Sequence, residues 1–213
     1  MVGIVYATRR EAEPLLSQLS AEPLAAQPFL MFRKTGASHR SFIAIISGMG
    51  KVAAAVAATH LVLDQRVSRL VNAGLCGRLT MGDGWSVGDL FRIGTAVESD
   101  CDRFGRAEQT VACDARWFSE LKAARLVTQD RPVFDTLRRS QLAGIGDLAD
   151  MEGAAVARVA GLYGIPCAMI KGISDAADEN GRQDLASHID WVSERIADAL
   201  VRELSINPTD KQP

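Results

Sequence analysis

Short apolar runs rich in valine and isoleucine alternate along this chain with longer stretches that carry apolar residues at helical spacing, and this alternation restricts the fold more than any other feature. Val2 to Tyr6, Ser41 to Ile46, Arg69 to Ala73, Leu90 to Val97, Arg125 to Thr128 and Cys167 to Ile173 read as strands. Arg10 to Leu19, Lys51 to Leu63, Met151 to Tyr163 and Ser187 to Leu204 read as helices. The first of these accepts Pro14 only within its opening turn, because proline has no N–H to give the turn before it. The third stops at Gly164, ahead of Pro166. Strands interleaved with helices predict an α/β domain with a mostly parallel or mixed sheet. One domain is expected over residues 1–205, with polar residues 206–213 as a flexible tail.

Ligands of such folds bind beyond the carboxyl ends of the strands. That directs attention to Ala7–Glu11, Ser47–Gly50, Gly74–Gly77, Thr128–Phe134 and Ser174-Asp175. Composition narrows the ligand class. The 24 Lys and Arg are balanced by 26 Asp and Glu, with no run of like charge, whereas a nucleic-acid binder shows a basic excess. No apolar stretch approaches the ~20 residues needed to span a bilayer, so no membrane partner is expected. The opening MVGIVYATRR places its arginines after the apolar run, unlike a secretory signal. The four cysteines, Cys76, Cys101, Cys113 and Cys167, form no CxxC pair and have no histidine at ligand spacing. No metal is expected, and a cytoplasmic protein with reduced thiols is.

Gly48-Met49-Gly50-Lys51-Val52-Ala53 follows a strand and opens a helix, fitting the GxGxxA dinucleotide fingerprint. The next strand ends Val71-Asn72-Ala73-Gly74 without the carboxylate that a dinucleotide ribose requires, so no dinucleotide is expected. The motif reads equally as a tight turn or as a substrate-contacting loop. Gly74-Leu75-Cys76-Gly77 admits two readings, a bed of small residues for a flat ligand or a plain turn. His39, His60 and His188 are scattered and read as surface or structural. Glu152 in a first helical turn is favoured by the helix dipole. Asp175, beyond a buried strand, is either an N-cap or a partly desolvated carboxyl with a raised pKa. With Glu11 after the first strand, these bring three carboxylates to one end of one sheet, which suits the oxocarbenium-like transition state of glycoside hydrolysis.

The segments ISGMGKVAAAVAATHLV, VNAGLCGRL with SVGDL, DMEGAAVARVAGLYGIP and KGISDAAD together resemble the purine nucleoside phosphorylase/uridine phosphorylase superfamily from about Gly3 to Leu204. Within it the likeness is strongest to 5′-methylthioadenosine/S-adenosylhomocysteine nucleosidases, and futalosine hydrolases share similar motifs. The resemblance implies a central mixed sheet flanked by helices, no cofactor, a purine nucleoside substrate and a homodimer. It implies that Asp175 is the general acid for the purine N7 and Glu11 the base that places water. Glu152 would hold the ribose hydroxyls, with Met151 under the sugar. Cys76 and Gly77 would line the base, Val133 would approach the purine edge, and Ser174 falls among the substrate-binding positions. Phe104 resembles an aromatic that reaches into the neighbouring subunit's pocket. Phosphorylases of the superfamily carry Arg and Ser where this chain has Asn72 and Leu75, which favours water as nucleophile. Arg9 and Arg10 beside Glu11 keep phosphorolysis open. Leu75 also replaces a serine usual in the nucleosidases, and Pro132 stands where an aromatic usually stacks on the base, with Phe134 close by. These departures keep a ligand sensor as the non-enzymatic alternative.

Overall fold

The computed structural model describes residues 1–36, 39–80, 84–101, 104 and 109–205, so the expected tail over 206–213 lies outside the described residues. The elements run β1 (Val2–Tyr6), α1 (Arg9–Gln18), β2 (Glu22–Ala25), β3 (Leu30–Lys34), β4 (Phe42–Ile46), α2 (Lys51–Leu63), β5 (Arg69–Arg78), β6 (Leu90–Glu98), β7 (Val111–Ala112), β8 (Lys122–Thr128), α3 (Thr136–Ala143), β9 (Leu148–Asp150), α4 (Gly153–Leu162), β10 (Cys167–Asp175) and α5 (Gly181–Ser205).

Strand β5 organises the sheet. It lies parallel between β1 and β10, and β1 continues through parallel β4 to antiparallel β3 and β2. On the other side β10 pairs with antiparallel β6, β6 with parallel β8, and β8 with parallel β9. Strand β9 returns antiparallel to Gly77 and Arg78 at the end of β5, closing a ring of five strands. The sheet is therefore mixed, and the ring gathers the carboxyl ends of β5, β8, β9 and β10 around one opening.

Alternation of side chains along the strands builds two apolar layers. On one face Ile4, Tyr6, Val71 and Ile170 pack against Leu15 and Leu16 of α1 and Val192, Ile196 and Leu200 of α5. On the other, Val5, Ile43, Ile45, Leu70 and Met169 meet the small residues of α2 and α4, among them Ala54, Ala57, Ala58, Ala154 and Ala157. All nine residues of β10 are buried, as expected of a strand covered on both faces. Among the described residues no helix is long and apolar enough to cross a membrane.

Several expectations change. Pro14 sits sixth in α1, not in its first turn. The helix continues because a reciprocal Thr8–Glu11 capping box secures its start and Ala12, Leu15 and Leu16 anchor it on the sheet. Strand β5 does not stop at Ala73. Gly74, Leu75, Cys76 and Gly77 pair with β10, so this segment is strand rather than turn. Ser174 and Asp175 likewise belong to β10 itself, and Asp175 caps no helix. Helix α5 begins at Gly181, six residues ahead of Ser187. Strands β2, β3, β7 and β9 and helix α3 were not expected. The strands are short or half-exposed, and α3 buries only Leu142.

Candidate active site

At the end of β1, Thr8 caps α1 and turns Glu11 inward. Glu11 Oε2 accepts from the Thr8 N–H at 2.9 Å and the Thr8 hydroxyl at 2.7 Å. Its Oε1 accepts from the Leu75 N–H of β5 at 3.3 Å. Only glycine at position 74 permits this approach, because a Cβ there would stand 2.9 Å from Glu11 Oε1.

The β9–α4 turn supplies two further carboxylates. Asp150 is buried and accepts from Thr128 Oγ1 at 2.6 Å, from the Gly153 N–H at 2.8 Å and from Lys171 Nζ at 2.7 Å. Burial opposes the Lys171 ammonium, yet Asp150 and Glu152 together hold its pKa above the ordinary lysine value. Glu152 is the N-cap residue of α4, but its side chain makes no capping hydrogen bond. Its Oε1 instead accepts from the Gly50 N–H at 2.8 Å. Burial, and then the charge of Asp150, push the Glu152 carboxyl up to about 7, against the pull of Lys171 and the Gly50 N–H.

The third group stands where β10 meets the end of β5, at an irregularity in register between Ile173 and Asp175. Asp175 Oδ1 accepts from the Ala177 N–H at 2.9 Å, and Oδ2 from the Ser174 hydroxyl at 2.7 Å. The Cys76 carbonyl lies 3.3 Å from the same hydroxyl. Burial raises the Asp175 carboxyl above its ordinary value, outweighing those two donors. The shift is in the direction that suits a proton donor.

Glu11, Cys76, Gly77, Val133, Met151, Glu152, Ser174 and Asp175 all line one cleft, with Pro132 and Phe134 in the same wall. Phe104 does not line it and is 93 % exposed. Met49, from the Ser47–Gly50 segment flagged in the sequence, also lines it, and Leu185 and Ile189 complete an apolar side that sequence reasoning missed. It also missed the Asp150–Lys171 pair, although a lone lysine inside the apolar run CAMIKGI carries the signal, since a buried charge requires a partner. Arg9 and Arg10 do not face the cleft. Arg9 pairs with Glu13 at 2.5 Å and stacks over Phe32, while Arg10 makes a two-pronged contact with Asp190 of α5. Among the described residues, no lysine or arginine lines the cleft. His188 Nδ1 hydrogen-bonds the Ser174 carbonyl at 2.9 Å, and His60 pairs with Asp64.

A family profile described as the Phosphorylase superfamily matches residues 1–205. The 5′-methylthioadenosine/S-adenosylhomocysteine nucleosidase of Actinobacillus succinogenes is 30% identical over 201 residues, covering 83% of this chain and 86% of that protein. The nucleosidase of the same name from Shewanella halifaxensis is 26% identical, covering 88% and 91%. In three dimensions the chain superposes on the corresponding nucleosidase of S. pneumoniae with a TM-score of 0.88 at 24% identity, over 96% of this chain and 98% of that one. It superposes on futalosine hydrolase of Helicobacter pylori with a TM-score of 0.85 at 21% identity, over 93% and 94%. At these identities the two structures show a shared fold.

Proposed function

The chain belongs to the phosphorylase superfamily, and on that premise we propose that it is an enzyme hydrolysing the N-glycosidic bond of a purine nucleoside. The names of its relatives make 5′-methylthioadenosine and S-adenosylhomocysteine the first substrates to try. One observation carries this proposal: Glu11, Glu152 and Asp175 converge on a single cleft from three differently built environments. Asp175, held above its ordinary pKa by burial, donates a proton to the purine N7 as the bond from the sugar carbon to N9 breaks and its electron pair passes to the ring. Glu152 accepts the ribose hydroxyls. Glu11 orients a water whose oxygen bonds to the sugar carbon, and takes up the proton that water gives away. One proton leaves Asp175 and one reaches Glu11, so the cycle closes by exchange with solvent. An acid and a base so placed typically supply about 10²–10⁴-fold each.

The cleft wall favours water over phosphate, because a phosphate dianion beside these carboxylates would require a lining cation. A cytoplasmic homodimer belongs to the same proposal, with the exposed Phe104 directed to a second copy.

The test is a panel of nucleosides, futalosine included, with chromatographic detection of free base in the presence and absence of phosphate. Base release independent of phosphate is expected. Strict phosphate dependence overturns hydrolysis, and no release from any nucleoside overturns the whole assignment. Asp175→Asn should lower kcat by at least about 10²-fold while the circular dichroism spectrum stays native. Unchanged turnover in that variant removes Asp175 from the chemistry.

A further inference from the structure

The glycine-rich turn between β4 and α2 does not enter the chemistry above, yet its backbone reaches the cleft. The first N–H groups of a helix have no partner within it. Here two consecutive ones are taken by carboxylates of the protein itself. The Gly50 N–H donates to Glu152 Oε1 at 2.8 Å, and the Lys51 N–H to Asp130 Oδ1, also at 2.8 Å. Gly50 has φ 94°, a left-handed backbone that favours glycine, and this aims its N–H at Glu152.

The Lys51 side chain, 14% exposed, closes the arrangement. Its Nζ stands 2.5 Å from Asp100 Oδ1, 3.5 Å from Glu98 Oε1 and 3.7 Å from Asp130 Oδ2. Asp100 in turn accepts from the Asp130 N–H at 2.8 Å, and Arg158 pairs with Glu98 at 2.7 Å. One ammonium thus fastens the segments that follow β4, β6 and β8. Three carboxylates brought together without it would repel one another.

We propose that Lys51 and Asp130 are positioning residues for sugar recognition: their ionic clasp holds the 48–50 turn so that the Gly50 N–H orients Glu152 toward the ribose hydroxyls. This rests on the nucleosidase assignment, in which Glu152 binds those hydroxyls. It also accounts for the dinucleotide-like motif, whose helix-start N–H groups already serve two carboxylates.

The test compares kcat/KM for a ribonucleoside with that for its 2′,3′-dideoxy counterpart. A hydrogen bond to a charged group is worth roughly 1.5–3 kcal/mol, or about 10- to 100-fold in rate. Lys51→Met should reduce the preference for the ribonucleoside by about tenfold or more, with the dideoxy rate little altered, and Lys51→Arg should restore most of it. Asp130 is half-exposed, so Asp130→Ala provides a second variant expected to fold and to lose the same preference. Equal loss on both substrates, or no change in the ratio, overturns the proposal.

A substrate-free readout separates this outcome from failure of the nucleosidase assignment. The Glu152 carboxyl, followed by ¹³C chemical shift, faces Asp150, Lys171, Glu11 and the Gly50 N–H. Losing the Gly50 bond in Lys51→Met should move its titration to higher pH. An unmoved titration overturns the clasp even in a protein that releases base, whereas a moved titration in a protein inert to all nucleosides upholds the clasp and overturns the assignment.

Discussion

Replacing Glu152 with glutamine should stabilise the folded protein above neutral pH. In the unfolded chain this carboxyl titrates near its ordinary 4.5, and in the fold burial and Asp150 push it up to about 7. Between those values the folded state holds a proton that the unfolded state has lost. Stability contributed by this group is therefore full below about 4.5 and declines as pH rises through about 7. Converted to free energy, the complete ionisation costs about 3 kcal/mol of folding stability. Glutamine keeps an acceptor for the Gly50 N–H and removes the charge that faces Asp150 and Glu11. For a chain of this size roughly 2–4 °C of unfolding midpoint accompanies each kcal/mol. The variant should therefore melt about 6–12 °C above the parent at pH 8 and level with it at pH 4. Thermal unfolding followed by circular dichroism across that range measures the difference. A constant offset between the two proteins at every pH would refute the reasoning, because it would show that Glu152 carries the same charge in both states.

The other expected effects concern the floor of the cleft and the face beneath α5. Lys171→Met leaves Asp150 with only Thr128 and Gly153 as donors in a site where both charged side chains are 1% exposed, and should cost about 3–5 kcal/mol; a loss below about 1 kcal/mol in urea unfolding would show the pair to be dispensable. At Gly172 an added Cβ would stand 2.5 Å from Val192 Cγ1, with Leu90 and Ile196 close behind, so Gly172→Ala should destabilise by roughly 1–3 kcal/mol. Equal midpoints in denaturant would mean that α5 can shift outward without loss.

Much of the fold was legible because it is written in local periodicity. Strands β1 and β4 and helix α2 lie where their apolar spacing predicts. Glu11, Glu152 and Asp175 were legible as carboxylates near strand ends, where this class of fold places its ligands. The errors share one cause. Gly74–Gly77 lacks the β-branched residues that mark a strand, and it becomes one because β10 lies beside it offering partners. Strand β2 is a half-exposed edge held by β3, and β3 is in turn placed by β4. Arg9 and Arg10 were candidates for an anion site by proximity to Glu11, yet successive helical residues point in different directions and both leave the cleft.

Local pattern along the chain specifies the class of fold and which residue types stand at the strand ends, since backbone hydrogen bonding and side-chain alternation act over about ten residues. The state of those residues depends on groups brought near them by the fold. The Gly50 N–H and the Glu152 carboxylate are 102 positions apart, and Thr128 and Asp150 are 22 apart. Lys171 reaches Asp150 from a different strand of the ring. Burial and charge fall off with distance in space rather than along the chain, so the ionisation and orientation of each carboxylate came from neighbours that local pattern does not specify.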